Sequence, residues 1–374
     1  MGTKFQRKKK RRITVYSTPK EGLCSRTEEK YLALTTKISM GVSLNNRAAV
    51  FLPNYTIQDL LKMAELAEDL GFGSVWVGDS LIDSPRYESM AVLGAVAART
   101  SKVKLGGAII QPHFRNPVML ALTWATLDCL SSGRMILTLG TGGGTPAGVA
   151  KEAELVGIDP KKRGGAIEEN VDILRKLWSG AEIEKAGKLY DLRGAKIGYY
   201  PLQKPPPIWI AAGIWIPKSR GDRVVSATPG YTKKKGESEF TRNFDRAARL
   251  GDGWFAIMAT PEEYGEASRK VSELARRYGR SPEKITRAME IWINVNADRD
   301  LARRQVTDVM EGYFGSAVDP QTVERWSIYG TREECLKKIE AYEEGGLQVT
   351  KLNMGSRDQL GMLREVGKSI LSSF

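Results

Sequence analysis

The sequence predicts an α/β protein of the (β/α)8 TIM-barrel type, with a basic extension ahead of the barrel and a long insertion after its fifth strand. Three observations carry this. Short β-branched runs alternate with helix-length apolar segments across residues 38–374, giving eight strands each followed by helix. The runs end in Gly, Asp or Pro, residues that do not continue a strand. A chain of 374 residues with 41% hydrophobic content has enough apolar mass for one large core.

Taken in order, Ile38–Leu44 reads as the first strand. Residues Thr56 to Gly71 form an amphipathic helix in which Ile57, Leu60, Leu61, Ala64, Ala67 and Leu70 recur at helical spacing, with Thr56 as N-cap and Gly71 as terminator. The second strand, Ser74–Gly78, ends at Asp79-Ser80 and leads into a helix from Tyr87 to Thr100. The third, Val103–Ile110, breaks at Gln111-Pro112-His113, and Pro117 suits the first turn of the helix that follows, a position needing no N–H. The fourth, Met135–Leu139, breaks at Gly140-Thr141-Gly142-Gly143-Gly144, whose backbone amides can approach an anion closely for lack of side chains. Both breaks fall at the carboxyl ends of parallel strands, where α/β folds bind their ligands.

Residues 145–165 read as a long loop and Ala166–Trp178 as a helix, after which Pro205-Pro206-Pro207 leads into strand five, Ile208–Gly213. The insertion, about 214–240, lacks periodicity, as lids, binding loops and disordered segments do. It carries Lys218, Arg220, Arg223, Lys233, Lys234 and Lys235, which suit either a clamp for a phosphate or polyglutamate tail or a solvated linker. Helix 243–250, strand Gly253–Ile257, helix Pro261–Tyr278, strand Arg287–Asn296, helices Leu301–Phe314 and Arg332–Glu344, strand Val349–Met354 and a final helix from Asp358 to Leu371 complete the pattern.

The formal net charge of +13 suggests a nucleic-acid partner until it is divided. Residues 1–37 hold eleven Lys/Arg against three Glu, a net +8, which leaves +5 for the other 337 residues, an ordinary balance for a small-molecule enzyme. The cluster Lys8–Arg12 reads as a solvated, disordered arm or as sequence ahead of a start at Met40, with nucleic acid or anionic lipid as the functional alternative. No apolar run reaches bilayer length, so no membrane span is expected. Three distant cysteines, Cys24, Cys129 and Cys335, form neither a disulfide framework nor a metal spacing, and a reducing cytoplasmic setting is the expectation.

Several segments, taken together and in order, resemble the bacterial-luciferase-like flavin and deazaflavin oxidoreductases: AEDLGFGSVWVGD, TSKVKLGGAIIQPHFRNPVMLALTWATLDCLSSGRMILTLGTG, RGGAIEENVDILRKLWSG, PPPIWIAAG, RLGDGWFA and YGTREECLKKIEAYEEGG. Within that group the chain looks most like the branch using the deazaflavin coenzyme F420, which includes the methylene-tetrahydromethanopterin reductases. The resemblance implies a non-prolyl cis peptide at Ala108-Ile109 behind the coenzyme's ring, with Gln111 near its polar edge and Asp79 beside it. It also implies Thr141, Gly142 and Gly143 near a phosphate, Ala212, Gly213 and Ile214 along the tail, and a homodimer. Ser80 stands where sugar-phosphate dehydrogenases of this type have histidine, and Gly143 where they have an acid. Ser43 stands where the methanopterin reductases have an acid. The cofactor site carries over on these residues and the substrate chemistry does not.

Hydride transfer to or from a small carbonyl, alcohol or imine leaves a proton to be placed, so an acid or base is expected. His113, the chain's one histidine, lies at the presumed mouth and is the first candidate; Asp79 is the second, with holding the coenzyme through hydrogen bonds as the favoured reading for it; Glu290 inside strand seven is either a buried carboxylate or a solvated one at the barrel edge. The leading functional reading is an F420-dependent oxidoreductase acting on a small molecule. An FMN-dependent monooxygenase on the same barrel is the alternative. A non-catalytic flavin-binding protein using its basic arm on nucleic acid is the alternative of another class.

Overall fold

The computed structural model describes residues 38–143, 146–213 and 237–374. The extension 1–37, Ile214 and most of the insertion lie outside the described residues.

Eight parallel strands close the barrel: β1 (Ser39–Ser43), β2 (Ser74–Val77), β3 (Lys104–Ile110), β4 (Met135–Leu139), β5 (Ile208–Ala211), β6 (Gly253–Ile257), β7 (Thr286–Val295) and, after a short β8 (Ser327–Gly330), β9 (Val349–Met354). Each strand pairs with the next from β1 to β7, and β9 bridges β7 and β1 to complete the ring. These eight are the strands counted in the sequence, and β8 is a ninth outside the ring. β7 runs past β6 once Ile257 has paired with Glu290, and β8 takes over the freed edge along Trp292–Val295. Four residues with a polar start, Ser-Ile-Tyr-Gly, carry too little pattern to announce themselves.

Local chemistry explains the helices, numbered in chain order from α1 (Ala48–Phe51) to α12 (Gln359–Ser369). In α2 (Ile57–Leu70), Thr56 and Asp59 exchange hydrogen bonds in a capping box, and Gly71 ends the helix at φ +91°. In α4 (Pro117–Leu130), Asn116 caps the N-terminus and Pro117 occupies the first position. The stretch 145–165 is not one loop: it holds α5 (Pro146–Leu155) and a 3-10 turn before α6 (Arg163–Trp178) begins. What fixes α5 is tertiary. Glu152 is buried, and its Oε1 accepts from Ser80 Oγ at 2.8 Å and from the backbone amides of Leu81, Ile82 and Asp83 at 2.7, 2.8 and 3.1 Å. A carboxylate that orders a loop by gathering its amides leaves no helical periodicity to read.

The barrel interior is filled by Trp76, Trp209 and Phe255, with ring centroids 5.4 and 5.9 Å from Trp76, together with Ala108 and Ala288. Such bulk fits because Gly106 lies opposite: a Cβ there would sit 1.8 Å from the Trp76 ring. This layer is the floor on which the open end of the barrel is built. Among the described residues, no helix is long and apolar enough to cross a membrane.

Candidate active site

At the carboxyl ends of the strands lies a cavity of about 270 Å³, near the lower end of small-molecule sites, which run from roughly 300 Å³ upward. Phe255 at its base belongs to the interior layer. The sequence-derived residues Asp79, Ala108, Ile109, Gln111, Thr141, Gly142, Gly143, Ala212 and Gly213 all line it; Ile214 is outside the described residues. The Ala108-Ile109 peptide is cis.

The wall formed by the ends of β4 and β5 is built of small residues: Thr141, Gly142, Gly143, Ala211, Ala212 and Gly213. Gly142 sits at φ +75°, a region strained for other residues, and a Cβ there would lie 2.0 Å from Gln111 Oε1. Among the described residues, a Cβ on Gly213 would meet no atom within 4 Å. This is a cradle for a flat ligand with a polar tail, and it fits the group expected there.

Asp79 is a junction. Its Oδ1 accepts from Ser89 Oγ at 3.0 Å and Arg115 Nη2 at 2.9 Å, and its Oδ2 from the Gln111 amide at 3.0 Å and Arg115 Nη1 at 2.7 Å. Gln111 Nε2 donates to the Asp79 carbonyl at 3.1 Å. A carboxylate holding a bidentate guanidinium and two further donors has little capacity left to shuttle a proton. Asp79 therefore positions Gln111, which faces the cavity.

His113 is elsewhere. It lies in the 3-10 turn Pro112–Phe114, buried, with its ring 4.6 Å from that of Phe114, and it lines a separate depression with Arg115, Lys162 and Tyr190. Burial, seconded by the charge of Arg163, pushes its pKa down to about 4, so the ring is neutral at pH 7. The catalytic face drew attention to His113, but the turn directs it away from the cavity. Because the folded pKa lies below the unfolded value near 6.5, the unfolded state binds the extra proton between these limits. Stability should hold above about pH 6.5 and decline as the pH falls toward about 4; thermal unfolding of a His113→Gln variant across this window should lack that component. Turnover of the variant at pH 7 should stay within about threefold of the parent.

A buried group of polar side chains comes from the opposite side of the barrel. Ala288 and Val349 pack in the interior, and two residues further along their strands Glu290 and Lys351 line the cavity on the same strand faces. Lys351, 5% exposed, donates from Nζ to Glu290 Oε2 at 2.9 Å and to the Ala108 carbonyl at 2.9 Å. Asn353 Nδ2 donates to Glu290 Oε1 at 2.8 Å. The sequence offered Glu290; it missed Lys351 and Asn353, although polar residues at alternate positions of an otherwise apolar barrel strand are the signal that marks them. Arg47, Ser80, Asp83, Ser84, Arg86 and Asn243 add to the polar lining. Among the described residues, no cluster of His, Cys, Asp or Glu suited to a metal ion is present.

Known proteins with this architecture include enzymes that use a deazaflavin. The F420-dependent glucose-6-phosphate dehydrogenase of Amycolatopsis mediterranei is 28% identical over 325 residues, covering 84% of this chain and 93% of that protein. The enzyme of the same name from Mycolicibacterium fortuitum is 29% identical over 331 residues, 81% of this chain and 89% of its own. Among solved structures, an F420-dependent secondary alcohol dehydrogenase in complex with an F420-acetone adduct is similar with a TM-score of 0.70 at 24% identity, covering 90% of this chain and 99% of that one. A monooxygenase from Streptomyces bottropensis is similar with a TM-score of 0.71 at 20% identity and the same coverage. These structural likenesses establish the fold. The sequence model of the luciferase-like monooxygenases matches residues 38–217 and 238–319, and the chain belongs to that family.

Proposed function

We propose that this protein is a coenzyme F420-dependent oxidoreductase that moves a hydride between the deazaflavin and a carbon of a small carbonyl, alcohol or imine substrate. The observation that carries the reading is one cavity with two unlike walls. A glycine-rich wall from the ends of β4 and β5 faces the buried Lys351–Glu290–Asn353 group on β7 and β9. The curated relatives named above, called F420-dependent, support the choice of coenzyme.

When bound, the deazaflavin supplies a two-electron hydride carrier. Ala108, Ile109 and Gln111 would hold its ring, and Thr141 to Gly143 with Ala212 and Gly213 would hold its tail. Glu290 accepts the substrate's hydroxyl or ammonium proton in the oxidising direction and returns it in the reducing direction. Lys351 and Asn353 keep the carboxylate oriented. The glucose 6-phosphate of the relatives does not carry over, because Ser80 commits its hydroxyl to Glu152 and Gly143 has no acidic group.

Titration of the purified protein with F420 and, separately, FMN, read by fluorescence, tests the coenzyme. Binding of F420 at micromolar concentration or below, with none for FMN, is the expected result. FMN binding with no response to F420 would replace this reading by the oxygen-using monooxygenase, and a protein that binds neither would not be an oxidoreductase of this kind.

A further inference from the structure

Arg47 follows β1 at the mouth of the barrel. Its backbone is held in place: the Arg47 amide donates to Asn45 Oδ1 at 3.3 Å, and Asn46 Nδ2 reaches the carbonyls of Gly78 and Tyr87 at 2.9 and 2.8 Å. The side chain lines the cavity and the residue is only 8% exposed, with its guanidinium carbon 5.7 Å from the centre of the Tyr313 ring. Nε and Nη1 are buried and have no hydrogen-bond partner among the described residues. A guanidinium is charged at every physiological pH, and leaving its donors unpaired in the interior is costly. A second guanidinium, that of Arg86, lines the same cavity, with its Nε spent on the Ser84 carbonyl at 3.0 Å. One carboxylate, Asp83, lines the cavity beside them.

We propose that Arg47, assisted by Arg86, receives the oxyanion of an anionic substrate, a carboxylate or a phosphate monoester, and so fixes which carbon faces the coenzyme. This rests on the oxidoreductase reading above and names its substrate class. Strand order separates the site from the coenzyme cradle: Arg47 extends from β1, next to β9 with its Lys351, whereas the glycine wall belongs to β4 and β5. An oxyanion gripped by Nη2 together with either Nε or Nη1 uses one of the two forked edges a guanidinium offers and gives one of the orphaned donors a partner.

The test uses the full chain, with and without F420, and three forms: parent, Arg47→Gln and Arg47→Lys. Thermal unfolding is followed at constant ionic strength as sodium phosphate or sodium acetate replaces sodium chloride, so that bound anion registers as a saturable rise in Tm. The parent should bind at least one of the two anions, and which one distinguishes phosphate from carboxylate substrates. Arg47→Gln should weaken that binding roughly 10- to 100-fold, the range for losing charge-assisted hydrogen bonds, with Arg47→Lys in between. F420 affinity should stay within about threefold in both variants, and in chloride alone Arg47→Gln should be no less stable than the parent. Equal anion binding in parent and Arg47→Gln would overturn the proposal by placing the anion on other basic segments. A parallel fall in F420 affinity would overturn it by making Arg47 a ligand of the coenzyme, and no saturable effect of either anion in the parent would also overturn it. If the parent fails to bind F420 but binds an anion through Arg47, the anion site stands and the deazaflavin reading falls.

Discussion

Glu290→Gln should lower kcat roughly 100- to 10,000-fold, the range for losing a general acid–base group, while F420 affinity changes by less than about threefold. Gln matches Glu in size, its oxygen can still accept from Lys351 Nζ, and Asn353 can turn its own amide to accept from the new NH2, so the site's shape survives while the ion pair and the proton-accepting charge are lost. The loss should persist across the whole pH range, since no pH restores a base to an amide. Lys351→Met should act differently. It removes the donor to both Glu290 Oε2 and the Ala108 carbonyl, so coenzyme binding and kcat should fall together. Rapid-mixing measurement of F420 reduction separates the two. Should Glu290→Gln turn over within threefold of the parent, the pair has no part in proton transfer, and water or a hydroxyl must supply it.

How far this site could be read from the sequence depends on which physical signal each residue leaves. Residues just past strand ends are marked by the strand's own termination, which is why Asp79, Gln111 and the Thr141–Gly143 run were legible and all line the cavity. The cis peptide at Ala108-Ile109 was legible only through family resemblance, because nothing in Ala-Ile itself favours it. His113 shows the weakness of position alone: a loop at the catalytic face has two sides, and a turn led by Pro112 set the ring on the far one. Lys351 and Glu290 left a subtler mark. Their strands read as buried runs, and once Val349 and Ala288 are assigned to the interior, the period of two puts Lys351 and Glu290 on the same faces, nearer the open end. Arg47 left no mark at all, since its burial depends on Tyr313, a residue 266 positions away at the end of α9 (Arg299–Phe314).

Asp79→Asn should destabilise the fold by about 3 kcal/mol and weaken coenzyme binding, yet leave the rate of the bound complex nearly unchanged. The reasoning begins with donors. Four reach the carboxylate, two of them from Arg115, and the Asp79 side chain is 4% exposed. An amide has one acceptor oxygen, so its NH2 would face at least one of these donors, and breaking one partner of a buried ion pair costs about 3–5 kcal/mol. Arg115 keeps a second bond, to the exposed Glu88 at 2.7 Å, which places the cost at the lower end. The Gln111 amide loses its acceptor, so the polar edge of the cavity loosens and coenzyme affinity falls with stability. Arg115→Met should do similar damage, and the double variant should be less harmed than the sum of the two, because with both charges gone neither is left buried alone. Chemical denaturation and F420 titration of the three variants measure this cycle. An Asp79→Asn protein with the parent's stability and coenzyme affinity but a hundredfold lower kcat would make Asp79, rather than Glu290, the group that handles the proton.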